Sequence, residues 1–239
     1  MSYFKSRVAI LGASKGLGLS LTKEILFNSN SQLWISSRKI EELKHNPVFN
    51  KELQKIKMFP MDFTKPEAIN LIVNSLKEFK PNQIIYCAGG GPYGNFHQKP
   101  WHSHLWTFNL NLLFPTQLLH HILSEKNSSF VDLNQIIFIG SSVAENKADP
   151  GAASYSAAKH GLKGLIQSLI EEFKSTPPID LRLYSPHYMN TDLLPKNAKP
   201  RQNFSALDEP CVIAKDLLLW ASQPADVNSW HRIIPTKQN

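Results

Sequence analysis

Apolar and polar positions along the chain follow two alternating rhythms. Short aliphatic or β-branched runs recur at 8–11, 33–36, 57–60, 83–87, 135–140, 181–185 and 232–235. Between them, at 16–28, 66–79, 103–125, 152–174 and 210–222, apolar residues return every three to four positions. The first rhythm predicts strands buried on both faces, the second amphipathic helices. Strand–helix alternation at this spacing is the mark of right-handed βαβ units. The expected fold class is α/β, a doubly wound, mostly parallel sheet of about seven strands with helices on both faces. No repeat, low-complexity stretch or Gly/Ser linker interrupts the pattern, so one domain is expected over 1–239. The least regular segment, 192–209, holds Pro195, Pro200 and mixed charge, and is read as a surface flap over the substrate.

Composition narrows the class. Hydrophobic residues make up 42% and charged residues 19% of the 239 positions, which argues against disorder. A chain of this size buries roughly 70–75% of its unfolded surface and needs no staples. Cys87 and Cys211 cannot build a disulfide framework, and Cys87 reads as a small core residue. The charged start runs straight into the apolar run 8–11, too short for a signal-peptide core, and no later run could span a bilayer. A cytoplasmic protein without a membrane partner is the expectation. The net charge of +7 raises nucleic acid as a partner. The densest basic groups are Lys51, Lys55, Lys57 and Lys196, Lys199, Arg201, and no aromatic platform or reading helix accompanies them. No nucleic-acid partner is expected; a positive surface drawing in a polyanionic cofactor explains the charge equally well. Among the nine histidines, His102, His104, His120 and His121 lack ligand spacing, so no metal is expected.

The first strand ends in Leu11-Gly12-Ala13-Ser14-Lys15-Gly16-Leu17-Gly18 and enters a helical pattern. Glycines at such a turn let backbone approach a pyrophosphate, and the helix presents free amides to the anion. A glycine cluster alone suits an ordinary turn as well; its place after the first strand favours the cofactor reading. The second strand ends in Ser36-Ser37-Arg38, with no acidic residue before Glu41. In Rossmann domains a carboxylate there binds the adenosine ribose, whereas an arginine accommodates a 2′-phosphate. Arg38, Ser37 and Lys15 therefore point to NADP(H), the alternative being that Arg38 merely caps a strand end in solvent. Asp62 could accept a bond from the adenine amino group or, with Thr64, cap the next helix. After the fourth strand, Cys87-Ala88-Gly89-Gly90-Gly91 would let bare backbone pass against the cofactor.

Tyr155 and Lys159 stand four apart in a stretch of helical composition, which puts both on one helix face. A phenol near its reference pKa of about 10 is a poor acid or base at neutral pH, and a nearby ammonium would lower that value. Ser142 closes the fifth strand, thirteen positions before Tyr155, at the sheet edge where ligands bind. Its hydroxyl could hold a substrate oxygen while Tyr155 moves the proton.

Gly12 to Gly18, Ala88-Gly89, Asn111-Leu112, Ser142, Tyr155-x-x-x-Lys159 and Pro186 followed by Thr191 carry a resemblance in this order and spacing. The sequence resembles the compact, single-domain, NADP-preferring branch of the short-chain dehydrogenase/reductase family, over essentially its whole length. That resemblance implies Tyr155 as acid–base, with Ser142 orienting the carbonyl oxygen. Lys159 would hold the nicotinamide ribose hydroxyls and depress the tyrosine pKa. Asn111 would interrupt a helix and anchor a water in the proton relay. Asn109 lies two residues away, and the register rests on Leu112-Leu113-Phe114-Pro115. Pro186 would line the cofactor and Thr191 would bond its carboxamide. The implied substrate is a small carbonyl compound or secondary alcohol. The resemblance also implies a homodimer or homotetramer through 103–125 and 152–174.

Three departures accompany it. The usual Asn-Asn-Ala-Gly reads Tyr86-Cys87-Ala88-Gly89, the usual Pro-Gly reads Pro186-His187, and the usual glycine-rich carboxyl terminus is replaced by 233–239. For His187 a packing role is expected ahead of a contact with substrate or cofactor. Tyr93, Phe96, Trp101 and Trp106 suit either an apolar pocket or burial against helices. The rival reading is a catalytically idle NADP(H) sensor or assembly subunit, which would have no chemical need for Ser142, Tyr155 and Lys159 together.

Overall fold

Each of the seven apolar runs forms a strand, and all neighbours pair in parallel in one sheet of order β3-β2-β1-β4-β5-β6-β7. The computed structural model describes residues 5–145, 149–174, 177–196, 198–202, 207–225 and 230–234. The strands are β1 (Arg7–Leu11), β2 (Gln32–Ser37), β3 (Ile56–Pro60), β4 (Gln83–Tyr86), β5 (Gln135–Ile139), β6 (Asp180–Ser185) and β7 (His231–Ile233). The helices are α1 (Gly16–Asn28), α2 (Ala68–Phe79), α3 (Trp101–Phe108), α4 (Phe114–Ser124), α5 (Ala153–Glu172) and α6 (Pro210–Ala221).

Successive strand residues feed two separate cores, as a period of two requires. Val8 and Ile10 of β1 pack with Leu21 and Ile25 of α1 and Ile213 and Leu217 of α6. Ala9 and Leu11 face the other way, with Ile72 and Leu76 of α2, Leu118 and Ile122 of α4, and Leu162 and Ile166 of α5. Both faces of the sheet are thus covered, which is why the strands read as continuous apolar runs.

The largest departure from the expected elements lies in 103–125. The helix begins at Trp101 and is split by a π turn, Asn109–Leu113, between α3 and α4. Side chains supply the cause. Asn111 Nδ2 donates to Thr107 O at 2.7 Å, and the Tyr86 hydroxyl donates to Leu110 O at 2.7 Å, so carbonyls of this stretch have partners outside the regular ladder. Tyr86 is fully buried, and its hydroxyl gives the unusual residue at this position a structural task. The helix expected from 66 starts at Ala68, because Asp62 Oδ1 accepts from both the amide (3.0 Å) and the hydroxyl (2.8 Å) of Thr64 and closes a turn first. β4 and β5 each stop one residue short of the expected runs. The last strand occupies His231–Ile233 rather than 232–235, and Pro235 lies outside the described residues.

At the amino-terminal edge of the sheet a buried polar relay crosses three strands. Gln83 bonds Gln135, Gln135 Nε2 donates to Asp180 Oδ2 (2.7 Å), and Arg182 donates to both Asp180 oxygens. Arg182 is 1% exposed, its remaining donors reach Trp220 O and Gln223 O, and its guanidinium lies 5.2 Å from the Trp220 ring. No charge in this relay is left unpaired, which is the condition for burying one. Among the described residues no helix is long and apolar enough to cross a membrane, and no group of histidine, cysteine and carboxylate side chains could hold a metal ion.

Candidate active site

Because every pairing is parallel, the carboxyl ends of the strands share one edge. β1 lies between β2 and β4, so the connections leave it in opposite directions there and open a crevice. The glycine turn stands at that point. Gly12 N and Ala13 N donate to Ser36 O at 2.7 and 3.2 Å, and Gly12 takes φ +91°. A Cβ on Gly12 would sit 2.5 Å from Ala88 N, and one on Gly18 would sit 2.2 Å from Gly12 O, so neither position admits a side chain. The turn is therefore pressed against the Ala88-Gly89 segment after β4. Lys15 is the N-cap of α1 and makes no side-chain cap bond, and the first turn carries no acidic residue. The amides at Gly16, Leu17 and Gly18 thus head a helix whose positive end has no side-chain cap bond from Lys15 and no acidic residue in its first turn, next to Ser14.

At the adenosine side, the hydroxyls of Ser36 and Ser37 are buried without a hydrogen-bond partner. Buried hydroxyls in that condition are costly, and a ligand with phosphate or sugar oxygens would relieve it. Arg38 follows, exposed. Asp62 is half-buried after β3, with one carboxylate oxygen spent on Thr64. These residues fit a dinucleotide bearing an additional phosphate on its adenosine ribose.

Tyr155 and Lys159 lie in the first two turns of α5, on one face. Lys159 Nζ is 5.4 Å from the centre of the Tyr155 ring and donates to Ile139 O at 2.7 Å. Asn111 is fully buried; its side chain accepts from Gly90 N (3.3 Å) and donates to Gly90 O (2.7 Å). A Cβ on Gly89 would lie 3.0 Å from Asn111 Oδ1 and 3.7 Å from Lys159 Nζ, so these two side chains meet behind the β4 turn. Burial, opposed by the nearby Cys87 thiol, brings Lys159 down to about 8. Cys87 is itself pushed up to about 12 by burial, against the pull of Lys159. The residue read as plain core is thus an electrostatic neighbour of the lysine.

The Tyr155 phenol is pushed up to about 12, with burial the largest cause, and a hydrogen bond with the Ser141 side chain pulls it partly back. Lys159 spends its nearest bond on Ile139 O and does not set that acidity. The hydroxyl of Ser142, thirteen positions before Tyr155, lies instead 3.2 Å from His187 Nδ1. Ser141 was not read from the sequence. A pair of adjacent serines at a strand end gives no local sign of which one turns to the phenol.

Beyond β6, Pro186 O accepts from Ser142 N at 3.0 Å, and Thr191 reaches the glycine turn, where a Cβ on Gly16 would touch its Cγ2 at 3.3 Å. Two further contacts escaped the sequence reading. Arg201, counted there only as surface charge, donates to Thr191 O (2.6 Å), Leu194 O (2.8 Å) and Asn190 Oδ1 (3.1 Å), and so binds the flap to the strand end. His104, weighed only as a metal ligand, is buried between Phe96 O and the hydroxyl of Ser154, the residue before Tyr155. A Cβ on Gly90 would meet the Trp106 ring at 2.6 Å and Leu193 Cδ1 at 3.6 Å, so α3 and Leu193 of the flap converge over the β4 turn.

The fold and this edge define a doubly wound α/β protein of the Rossmann type. The chain belongs to the short-chain dehydrogenase family, whose model matches residues 6–202. Among solved structures it is similar to ElxO with NADP bound, at 21% identity, covering 96% of each chain with a TM-score of 0.79. An alcohol dehydrogenase from the archaeon Thermococcus sibiricus complexed with 5-hydroxy-NADP is 18% identical, covering 98% of this chain and 97% of that one, TM-score 0.80. BdcA in complex with NADPH is 18% identical, covering 98% and 94%, TM-score 0.78. No curated protein matches the chain significantly.

Proposed function

We propose that the protein is an NADP(H)-dependent oxidoreductase that moves a hydride between the nicotinamide and a carbonyl compound or secondary alcohol, with Tyr155 as acid–base. The observation that carries this reading is the convergence of Tyr155, Lys159, Asn111 and the Ser141-Ser142 turn beside Gly89 and Gly90 at the open end of the sheet. The uncovered start of α1, the partnerless Ser36 and Ser37 hydroxyls, exposed Arg38 and Lys15 support a phosphorylated dinucleotide. The NADP, NADPH and 5-hydroxy-NADP held by the three similar structures support the same choice.

Residues Gly12, Ser14, Gly16, Leu17 and Gly18 would hold the pyrophosphate, Ser37 and Arg38 the adenosine phosphate, and Asp62 the adenine through its second oxygen. Ala88, Gly89 and Pro186 would line the nicotinamide half, Lys159 its ribose, and Thr191 its carboxamide. When bound, the nicotinamide supplies or accepts the hydride. Tyr155, at about 12, is protonated at neutral pH, the form that donates a proton to a carbonyl oxygen. The phenol is thus in the form that carbonyl reduction needs near pH 7, whereas alcohol oxidation needs the phenolate and should speed up as the pH rises. Asn111 holds the Gly90 backbone on both sides and so fixes the wall behind Lys159. Trp106 and Leu193, over Gly90, would give the substrate an apolar wall, beside the flap 192–209, of which 197 and 203–206 lie outside the described residues. The apolar groove between α4 and α5, lined by Leu119, Leu123, Leu165 and Phe173, would serve a homodimer or homotetramer.

Purified protein should oxidise NADPH with members of a panel of aldehydes and ketones. Tyr155→Phe should abolish most of this turnover with NADPH affinity nearly unchanged, as read by kcat and by fluorescence titration. NADPH binding with no turnover on any carbonyl would mark an idle sensor, and retained kcat in Tyr155→Phe would place the proton elsewhere.

A further inference from the structure

His187 stands where the ladder between β5 and β6 continues past both strand ends. Gly140 N donates to Tyr184 O at 2.7 Å, and Ser142 N donates to Pro186 O at 3.0 Å. The backbone is thereby held so that the next residue, His187, places Nδ1 3.2 Å from Ser142 Oγ. The ring is itself braced, edge-on at 4.6 Å from Tyr188, whose hydroxyl donates to Asp149 Oδ2 at 2.8 Å. Behind it the chain returns from the flap. Asp208 bridges to Met189, donates its amide to Tyr188 O (3.0 Å) and accepts from Asn190 N (2.9 Å). Asp208 is buried, and its charge acts on His187 against the burial that holds the imidazole below 6.5. Three distant segments thus bring Ser142 against the His187 ring and the Asp208 backbone alongside Tyr188–Asn190 at the same end of the sheet.

We propose that His187 is a positioning residue that decides where the single proton of Ser142 points, and so whether Ser142 can hold a carbonyl oxygen; this rests on the oxidoreductase reading above. A hydroxyl has one proton and two lone pairs. If Nδ1 carries no proton, Ser142 gives its hydrogen to the ring and can only accept from a substrate. If Nδ1 carries the proton, the ring donates to Ser142 Oγ, and the hydroxyl hydrogen is released towards the crevice. A carbonyl oxygen, and the alkoxide charge that grows on it during reduction, accepts only. The productive arrangement is therefore Nδ1–H to Ser142 Oγ, and Ser142 Oγ–H to the substrate beside the Tyr155 hydroxyl. Burial, only partly offset by Asp208, holds the imidazole below its ordinary value, so near pH 7 it carries one proton, and the Nδ1–H tautomer is the one that donates to Ser142. The smaller residue usual at this position in the resembling family would leave the Ser142 hydroxyl free to rotate. Here it is committed.

The test is a double-mutant cycle on carbonyl-dependent NADPH oxidation with the best substrate of the panel. His187→Phe keeps the ring shape and removes the donor; kcat should fall about tenfold, the worth of one ordinary hydrogen bond. NADPH affinity and thermal midpoint should stay near those of the wild type. His187→Asn, whose amide can donate from a similar place, should recover most of the loss. In a Ser142→Ala background His187→Phe should cost nothing further. An equal loss in both backgrounds, or a parallel loss of NADPH affinity, overturns the proposal. A second readout is independent of turnover: nitrogen-resolved NMR of the imidazoles in the wild type and in Ser142→Ala. The His187 Nδ1 signal and its titration should shift between them, and an unchanged signal overturns the pairing. Failure of the oxidoreductase reading would show separately, as wild-type protein that turns over no carbonyl while the NMR arm still decides the contact.

Discussion

Glu145 offers a sharp test of what holds the serine turn in place. It follows the 3₁₀ turn Ser142–Ala144 directly, and its amide donates to Ser142 O at 3.1 Å. Its side chain is 2% exposed. One carboxylate oxygen accepts from Ser185 Oγ at 2.8 Å and from His231 Nε2 at 2.9 Å, and the other pairs with Lys163 of α5. The carboxylate thereby fastens the turn to β6, β7 and α5 at once. Ser185 Oγ and His231 Nε2 also lie 3.1 Å apart and can still pair with each other, so replacing Glu145 with alanine leaves one largely buried donor without an acceptor, at about 1–3 kcal/mol. Lys163 is 28% exposed and can rehydrate, so its pairing adds little. For a chain of this size each kcal/mol moves the melting midpoint by roughly 2–4 °C, so Glu145→Ala should lower it by about 2–12 °C. Glu145→Gln keeps an acceptor for Ser185 and His231, and should lose less than half as much. Thermal melts followed by circular dichroism near pH 7.5 measure both. An alanine variant within about 1 kcal/mol of the wild type, or a glutamine variant as damaged as the alanine one, would refute the network.

Other outcomes follow from the same geometry. Arg38→Asp replaces a phosphate partner with a repelling charge and should weaken NADPH binding by about tenfold to a hundredfold, with NADH little affected; equal losses for both, by titration, would remove Arg38 from the adenosine site. Lys80 ends α2 at φ +53°, a left-handed position, so Lys80→Gly should stabilise the protein by about 0.5–1 kcal/mol in urea unfolding; a destabilised variant would contradict it. Burial holds His187 and His231 below their ordinary 6.5 despite the carboxylates beside them. The unfolded chain therefore takes up protons first as the pH falls, and their contribution is complete above about 6.5 and is lost below it, towards the folded values. Urea midpoints between pH 5 and 8 should show this decline, and midpoints that rise on acidification would reverse the sign.

Much of the architecture is legible in the order of the amino acids. Seven apolar runs became seven parallel strands, because a strand buried on both faces needs an unbroken apolar run and helices to cover it. The glycines were legible because their positions admit nothing else: a Cβ on Gly12 would lie 2.5 Å from Ala88 N and one on Gly18 2.2 Å from Gly12 O, while Gly16 takes a left-handed φ of +57°. Tyr155 and Lys159 were legible because helical periodicity alone puts positions four apart on one face. Tyr86 was visible as an oddity, but its task was not, since the Leu110 carbonyl it meets lies twenty-four residues away.

Local pattern thus determined which segments are strands, which are helices, where the chain turns on glycine, and which two side chains share a helix face. Only the folded chain decided that the Ser141 side chain bears on the phenol, that His187 takes Ser142, that Arg201 secures Thr191, and that burial is the largest influence on the acidity of Tyr155. The division has one cause. Periodicity is a property of neighbouring residues, whereas the partner of a hydroxyl and the solvation of a charge depend on segments that meet only when the sheet and its helices have closed around them.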